Sequence, residues 1–363
     1  MKCIIVGAGT SGLIAARELA RYGVDVEVYE RKKVIKISTS SGILSLNGLK
    51  ELNIFYKEAL LNKLFGARLF FGNTVIEVKA KKAKAYSVDR NVLNKKLMEE
   101  AQRSGAEIFY GENISKEKLK EISKNKENII IGADGAVSNV ASFFGFPPIK
   151  RFILTYRMEY RVQKEDDDFV ELFFDNKVTK GLFGWIAPHG DNTEIGVGID
   201  ERFGKSSDAL RLFLMRKEVK EAIRNARPLE GGANIIPISL RKKFVDENKR
   251  VLLVGDAAGQ VKSSTGGGII FGGHAAMIAS KVVKDYLDNN ASLATYQSLW
   301  LKEFKKEIII HNIIHALYSS LSNSMLSGIA SFAKLLGIEK LLSEYGDMDR
   351  PSKIIRSMLG LKT

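Results

Sequence analysis

The chain has 363 residues, of which 45% are hydrophobic and 27% charged. This composition is typical of a folded globular protein and excludes extensive disorder, and the length suffices for two domains with cores of their own. Lysine and arginine number 56 and aspartate and glutamate 42, so the formal net charge is +14, which favours anionic partners. Because the basic residues are dispersed and lack an aromatic stacking pattern, we expect no nucleic-acid partner.

The cysteine content and the start of the chain bear on the compartment. Cys3 is the single cysteine and lies in the first apolar run, where we expect a buried thiol and no internal disulfide. The first residues lead directly into a strand and a glycine loop, so no secretory signal is expected. No apolar run reaches the roughly 18 residues that a membrane span needs. We therefore expect a cytoplasmic protein that can lie against the inner face of the cell membrane.

The predicted elements begin with a βαβ unit. Residues 3–6 form a β-branched run and residues 7–12 a glycine loop. Residues 13–22 have a helical pattern, and residues 24–29 form a second strand candidate.

The glycine loop of this unit has the sequence GAGTSG. Gly7 suits a tight turn, Gly9 leaves room for a pyrophosphate, and Gly12 allows close helix packing. Glu30 ends the second strand, where a carboxylate accepts a hydrogen bond from a ribose hydroxyl. The pattern predicts a dinucleotide site. Arg31 follows Glu30 and is a candidate cofactor contact, and the alternative is that Arg31 is exposed and contacts no ligand. The candidate contacts in this unit are Gly7, Gly9, Ser11, Gly12, Glu30 and Arg31.

Further along the chain, helical and strand patterns alternate before the pattern changes. Residues 84–103 have helical spacing, residues 107–110 follow as a strand candidate, and residues 127–135 form a buried strand that ends in a glycine turn. From residue 152 to 199, apolar and polar residues alternate, which is typical of an antiparallel sheet. Helical spacing returns over residues 207–226.

Two later glycine motifs favour FAD over a nicotinamide dinucleotide. The run 129–138 contains GADG, with Asp134 and Gly135 as candidate contacts. The strand candidate 250–254 precedes GDAAG, in which Asp256 can accept a hydrogen bond from a ribityl chain. The helix that follows directs its N-terminus at the flavin or the pyrophosphate. A simple nicotinamide-dependent dehydrogenase needs neither motif.

The three glycine motifs in this order resemble those of the flavoprotein group that includes aromatic hydroxylases, halogenases and geranylgeranyl reductases. The resemblance spans nearly the whole chain. It implies that Arg90, which ends the segment YSVDR, approaches the FAD, and the alternative for Arg90 is an exposed helix start. It also implies that the loop containing Gly267, Gly268 and Ile269 lies beside the isoalloxazine ring.

Narrower resemblances point to the geranylgeranyl reductase branch of this group. The segment FGWIAP at 183–188, followed by IGVG at 195–198, is similar to that branch's YxWxFP…G signature. The segment GDMD at 346–349 is also similar to the branch. The resemblance implies a substrate pocket in the antiparallel sheet, although a tryptophan in such a strand is often a core residue. The candidate pocket residues are Phe183, Trp185, Pro188 and Phe271, with Phe169 and Phe173 as further wall residues.

The chain departs from this branch at a turn where many of these reductases carry a cysteine near the flavin. Residues 39–43 read TSSGI, so no thiol is available there. Ser40, Ser41 and Gly42 are still candidate cofactor contacts through their N–H and hydroxyl groups.

The expected fold class is α/β, with a Rossmann-type FAD-binding domain, an inserted antiparallel-sheet substrate domain and a helical C-terminal extension. The FAD-binding domain is predicted to be discontinuous, over residues 1–150 and 228–290. The substrate domain is predicted over 151–227 and the extension over 291–363.

The resemblance implies an FAD-dependent reductase that saturates the C=C bonds of geranylgeranyl chains in archaeal-type isoprenoid lipids. Its partners are expected to be a polyprenyl lipid, an electron donor such as NAD(P)H or ferredoxin, and a membrane surface met by residues 308–342. The alternatives are an FAD-dependent monooxygenase of the aromatic-hydroxylase type and a non-catalytic flavin-containing protein that binds lipid or quinone. No metal site is expected, because the histidines have no usable ligand spacing, and no residue is assigned as the proton donor.

Overall fold

The computed structural model describes residues 1–33, 41–289 and 291–358. In these ranges the strands are β1 (Lys2–Val6), β2 (Asp25–Glu30), β3 (Ile43–Ser45), β4 (Leu60–Leu64), β5 (Gly66–Phe71), β6 (Thr74–Lys79), β7 (Ala85–Val88), β8 (Glu107–Tyr110), β9 (Ile129–Gly132), β10 (Phe152–Tyr160), β11 (Phe169–Phe173), β12 (Gly184–His189), β13 (Asn192–Asp200), β14 (Pro228–Pro237), β15 (Val245–Asp246) and β16 (Val251–Leu253). The α-helices are α1 (Thr10–Arg21), α2 (Leu46–Glu51), α3 (Arg90–Arg103), α4 (Lys116–Lys124), α5 (Asn139–Phe143), α6 (Ser206–Phe213), α7 (Lys217–Ile223), α8 (Ile269–Leu287), α9 (Thr295–Ser320), α10 (Asn323–Leu335), α11 (Ile338–Tyr345) and α12 (Ser352–Met358).

The nucleotide-binding half is built on a sheet with the strand order β15-β16-β9-β1-β2-β8. Its strands pair in parallel except at β15, which is antiparallel to β16. The central strands β1 and β9 are almost continuously apolar and buried, as parallel strands covered on both faces must be. Because parallel strands end at one edge, the three glycine motifs that follow β1, β9 and β16 meet there. The predicted α/β fold class is confirmed.

A second sheet has the order β14-β10-β13-β12-β11-β5-β6 and is antiparallel apart from the β11–β5 pair. It contains the predicted substrate strands, and it also recruits β5, β6 and β14. The sheet therefore extends beyond the predicted range 151–227 on both sides. The reason is long-range pairing, which places Phe169 opposite Gly66 and Phe152 opposite Pro237, and local periodicity gives no sign of such partners.

The C-terminal region is helical as far as Met358, and its helices α10 and α11 pack on the second sheet. In α10, Ser327 Oγ lies 3.0 Å from Thr74 Oγ1 in β6, and in α11 the Glu339 carboxylate accepts a hydrogen bond of 2.9 Å from the Glu77 amide. None of the helices in the described ranges has both the length and the apolar character that crossing a bilayer requires.

The largest core lies around the first sheet and includes α1, α3, α8 and α9. Cys3 is buried in it, as predicted, and burial raises the pKa of its thiol. A smaller core lies between the second sheet and α6 and α7. A third cluster lies on the other side of the second sheet, facing the cavity described below.

Candidate functional site

A cavity of about 870 Å³ lies where the carboxyl edge of the first sheet meets the second sheet and the C-terminal helices. One end is formed by the glycine motifs and is polar. The other end is formed by apolar side chains of the second sheet, and segment 342–354 completes the wall. Of the sequence-predicted site residues, the cavity wall contains Gly9, Ser11, Ser41, Arg90, Gly135, Phe183, Trp185, Asp256, Gly267, Gly268 and Ile269.

The glycines of the first loop differ in the space that surrounds them. Gly7 has a φ of +106°, and a Cβ there would lie 2.4 Å from the Ala133 carbonyl oxygen. A Cβ on Gly12 would lie 2.0 Å from the Gly7 carbonyl oxygen, so both positions are closed by backbone. A Cβ on Gly9 would meet nothing within 4 Å. Gly9 precedes α1 with no side-chain cap, so N–H groups of the first turn are available to an anion.

Glu30 lies at the end of β2, beside this loop. Its Oε2 accepts a hydrogen bond of 2.9 Å from the Ala8 amide, and its Oε1 accepts one of 2.9 Å from the Lys32 amide. These bonds fix the carboxylate and leave acceptor capacity on each oxygen for a ribose hydroxyl. Arg31 is exposed, in line with the alternative interpretation that it contacts no ligand.

The GADG motif places Gly135, but not Asp134, on the cavity wall. Asp134 accepts hydrogen bonds from Ser138 Oγ at 2.6 Å and from the Val140 amide at 3.1 Å, so it holds the start of α5. Its burial raises the pKa of the carboxyl group. Gly135 has a φ of +86° and open space around its Cβ position, so the turn brings bare backbone to the cavity.

Arg90 and Asp256 bring opposite charges to the cavity. Arg90 follows Asp89, the N-cap of α3, and donates a hydrogen bond of 3.1 Å to Thr10 Oγ1. Desolvation lowers the pKa of Arg90 to about 10, and desolvation raises the pKa of Asp256 to about 6; each charge partly offsets the other group's shift. The structure thus places Arg90 in the site and not at an exposed helix start.

Buried polar atoms without a hydrogen-bond partner mark the cavity as a ligand site. Among the described residues they include Ser41 Oγ, Arg90 Nε and His311 Nε2, and all three residues line the cavity. Leaving such atoms unpaired costs about 1–3 kcal/mol each. A ligand with polar groups along one side would satisfy them, and the flavin and ribityl groups of FAD fit this donor set.

The glycines of the loop Lys262–Gly268 have little space around them. A Cβ on Gly268 would lie 2.8 Å from Asp256 Oδ1, and one on Gly267 would lie 2.8 Å from Lys262 Cε. A Cβ on Gly266 would lie 3.1 Å from Ile236 Cδ1, in the apolar wall. The loop therefore lies at the junction between the charged end of the cavity and its apolar end.

The serine turn is described in part. Ser40 lies outside the described residues, whereas Ser41 lines the cavity. Gly42 does not line it. A Cβ on Gly42 would lie 2.0 Å from the Val88 carbonyl oxygen, so this glycine allows β3 to approach β7.

Phe183 and Trp185 lie on the cavity wall, and both are buried. Trp185 Nε1 donates a hydrogen bond of 2.7 Å to Glu194 Oε1, and a Cβ on Gly196 would lie 2.0 Å from Trp185 Cζ2. The indole thus lies flat on the glycine of the neighbouring strand, where it serves both as a core residue and as a wall residue.

The cavity wall does not include the other predicted pocket residues. Pro188 lies three positions after Trp185 in β12, so its side chain takes the opposite face of the strand. Phe271 is fully buried in the first core, where its ring lies 4.7 Å from that of Phe304. Phe169 and Phe173 are likewise buried away from the cavity wall.

Sequence reasoning missed a polar cluster on the wall opposite the second sheet. His311 Nδ1 lies 2.6 Å from Ser264 Oγ. Lys262 Nζ lies 2.5 Å from Asp349 Oδ1, and Ser45 also donates to Asp349. Burial, aided by the positive charge of Lys262, lowers the pKa of His311 to about 4. The GDMD segment was the available signal, because Asp349 is its last residue.

No metal centre appears among these groups. In the described part of the chain, histidine, cysteine, aspartate and glutamate side chains form no cluster of three that could hold a metal ion. His315 Nε2 lies instead 2.8 Å from the Gly181 carbonyl oxygen.

The fold and the site define an FAD-dependent oxidoreductase. The family described as FAD binding domain matches residues 1–298. The chain belongs to this family, and the predicted resemblance to geranylgeranyl reductases within it is confirmed.

Individual relatives extend over nearly the full chain. An uncharacterised protein of Methanocaldococcus jannaschii is 30% identical over 98% of this chain and 95% of its own length. The digeranylgeranylglycerophospholipid reductase of the same organism is 27% identical over 90% of this chain and 89% of its own. The crystal structure of a geranylgeranyl bacteriochlorophyll reductase-like protein from Thermoplasma acidophilum superposes with a TM-score of 0.78 at 20% identity, covering 98% of this chain and 95% of that one.

Proposed function

We propose that this protein is a reductase that saturates C=C bonds in geranylgeranyl chains of isoprenoid lipids. The carrying observation is the junction at Gly266–Gly268, where the same loop contacts Asp256 on one side and the apolar wall at Ile236 on the other. An apolar chain in this cavity would lie directly against the cofactor. The names of the curated reductase relatives support the same substrate class.

The residues of the polar end would hold the FAD. The N-terminus of α1 and Gly9 would receive the pyrophosphate, Glu30 would receive the ribose, and Arg90 and Asp256 would receive the ribityl and flavin groups. The chemistry that bound, reduced FAD would supply there is transfer of a hydride to one carbon of the double bond.

The apolar end orients the lipid chain and excludes water. Its wall includes Leu172, Leu182, Phe183 and Trp185, and burying each methylene of a substrate there contributes about 0.8 kcal/mol. Such a wall would select an apolar chain by its shape and by the area that it buries.

The second carbon of the double bond needs a proton, and His311 is the group we assign to it. When Ser264 Oγ donates to Nδ1, His311 Nε2 carries the proton, and this nitrogen is one of the three buried atoms of the cavity wall named above as lacking a hydrogen-bond partner. The lowered pKa of His311 favours the neutral imidazole, so the proton would leave Nε2 while the Ser264 hydroxyl passes its own proton to Nδ1, and Ser264 would then regain a proton from water. NAD(P)H or ferredoxin would supply the electrons.

The test is an anaerobic single turnover. Flavin-loaded protein is reduced with dithionite and mixed with a digeranylgeranyl glycerophospholipid in detergent, and the flavin spectrum and lipid mass are followed together. We expect flavin reoxidation with two hydrogens gained per double bond, and no reoxidation with the fully saturated lipid. NAD(P)H and reduced ferredoxin then replace dithionite to identify the donor.

The contrary outcomes are distinct. Flavin that stays reduced with the unsaturated lipid until oxygen enters contradicts the reductase proposal, and a hydroxylated aromatic or polyprenyl product would then indicate a monooxygenase. Tight lipid binding with no turnover under either condition would indicate a lipid or quinone binding protein.

A further inference from the structure

The last helices contain a long segment without charge. From residue 308 to residue 333 the chain has no aspartate, glutamate, lysine or arginine. This segment covers the second half of α9 and most of α10. A surface helix of a globular protein normally carries charged residues on the side that faces water. A surface segment without charge therefore suggests that a partner covers it.

Large apolar side chains of this segment are exposed. On α9 they recur every four residues, and on α10 they continue to the helix end, so each helix presents an apolar side to the outside. We call this surface the apolar face; its residues are Ile309, Ile313, Ile314, Leu317, Met325, Ile329, Phe332, Leu335 and Leu336. Phe332 is 63% exposed and Leu335 85% exposed. Large apolar side chains exposed at this density mark an interaction site.

The apolar face is continuous with the cavity. Ile314 is 39% exposed on the face, and it also lines the cavity. Tyr345 is 40% exposed and lines the cavity from α11. An apolar chain that leaves the cavity past Ile314 would therefore arrive on the apolar face.

Basic residues border the face at both ends. Lys305 and Lys306 are exposed one turn before Ile309, and Lys334 and Lys340 are exposed at the far end. Glu339 lies 3.4 Å from Lys334 and moderates that end. An apolar surface between basic borders is complementary to the acyl boundary of a bilayer with anionic headgroups.

We propose that the apolar face docks on an anionic bilayer and presents the cavity mouth to the acyl region. The occupant of the face is the membrane that holds the lipid substrate, so the role in substrate delivery rests on the proposed function, whereas the docking itself does not. Docking shortens the path of a polyprenyl chain, because the chain passes from the bilayer to Ile314 without entering water.

The test uses the flavin-loaded protein and vesicle flotation, without turnover. Vesicles of phosphatidylglycerol and phosphatidylcholine are compared with vesicles of phosphatidylcholine alone. We expect binding to the anionic vesicles that salt weakens, and at least a tenfold lower partition coefficient for the double variant Ile313→Glu with Phe332→Glu. Leu212→Glu is the matched control, since Leu212 is 50% exposed on α6 and lies outside the face.

Folding, oligomerisation and turnover are separated by further readouts. The double variant should retain wild-type flavin content and melting temperature, which shows that the fold survives. Equal flotation of wild type, double variant and control would overturn the proposal. A second result would also overturn it: wild type does not bind vesicles and forms a concentration-dependent dimer in sedimentation, and the double variant forms no dimer. The apolar face would then be covered by a second copy of the chain.

A failed docking proposal and a failed reductase proposal give different results. If docking is correct and the reductase proposal is wrong, wild type floats with vesicles but the reduced flavin ignores the lipid in detergent. If the reductase proposal is correct and docking is wrong, the lipid in detergent is reduced but wild type does not float with vesicles.

Discussion

Lys262 and Asp349 form a buried ion pair that joins the glycine-rich loop to the C-terminal segment. Lys262 Nζ lies 2.5 Å from Asp349 Oδ1, and their side chains are 5% and 7% exposed. Ser45 donates to the other carboxylate oxygen. The Asp349 carboxylate therefore ties segment 342–354, which forms part of the cavity wall, to two distant parts of the chain.

Removing this carboxylate should destabilise the protein strongly. Asp349→Ala leaves the ammonium group of Lys262 buried without its partner, and we expect a loss of about 3 kcal/mol in the free energy of unfolding, measured by urea titration. Replacing both partners, Lys262→Met with Asp349→Leu, should recover part of the loss because no lone charge stays buried.

The matched control for that experiment is a surface pair. Lys281 and Asp285 are four residues apart in α8 with an Nζ–Oδ1 distance of 2.7 Å, and both are more exposed. Asp285→Ala should change the free energy of unfolding by no more than about 0.5 kcal/mol. Equal losses for the two alanine variants would contradict the structural role of the buried pair.

Substitution by alanine should affect cofactor binding at Gly9 and folding at Gly12. Gly9→Ala adds a methyl group to open space and should leave the melting temperature of the flavin-free protein unchanged, while it lowers FAD affinity by about tenfold or more because the pyrophosphate must approach there. Gly12→Ala places a Cβ 2.0 Å from the Gly7 carbonyl oxygen and should impair folding itself.

The two glycine variants are compared by thermal unfolding without flavin and by FAD fluorescence titration. If Gly9→Ala binds FAD as wild type does, the pyrophosphate lies elsewhere. If Gly12→Ala is as stable as wild type, the close approach of α1 to the loop is not required.

Asp256 should make the stability of the flavin-free protein depend on pH. Its folded-state pKa is raised to about 6 from the ordinary value of 3.8 because the site desolvates it, with Arg90 opposing the shift. The folded state therefore holds a proton that the unfolded state has released between these two values. The Asp256 contribution to stability should fall as the pH rises from below 4 to above 6, by about 3 kcal/mol in total, with most of the change between these two values.

The check is urea unfolding of flavin-free protein across this pH range, beside Asp256→Asn. The variant cannot ionise, so its curve should lack the Asp256 contribution and lie closer to level. Parallel curves for the two proteins would show that Asp256 does not titrate in this window.

The predictable part of the fold and site is the part encoded locally. Gly7, Gly9, Gly12 and Glu30 act within one βαβ unit, where spacing along the chain fixes spacing in space. The position of Gly135 followed from the same logic, whereas the capping role of Asp134 depends on Ser138, whose side-chain contact the motif does not reveal.

The unpredicted part depends on long-range pairing. Asp349 meets Lys262 across 87 residues and His311 meets Ser264 across 47, and no periodic pattern links them. Phe271 illustrates the same limit, because its apolar character suited a pocket wall and a core equally. The packing of α8 against α9 shows that Phe271 is a core residue.

His311 should affect the rate of lipid reduction without affecting FAD binding. His311→Gln keeps a polar side chain near Ser264 but removes the imidazole proton, so we expect kcat to fall on the order of 100-fold with flavin content and lipid KM nearly unchanged. Because burial lowers the pKa of His311 to about 4, the wild-type rate should show no inflection near the ordinary histidine pKa of about 6.5.

The measurement is single-turnover reoxidation of the reduced flavin by unsaturated lipid, in H₂O and in D₂O. His274→Gln serves as the control, since His274 pairs with Glu51 at 3.0 Å and is not on the cavity wall. A solvent isotope effect that survives in wild type and control but changes in His311→Gln supports proton delivery from His311. If His311→Gln keeps the wild-type kcat, another group is the proton donor. If His311→Gln loses flavin, His311 is a structural residue of the cavity wall.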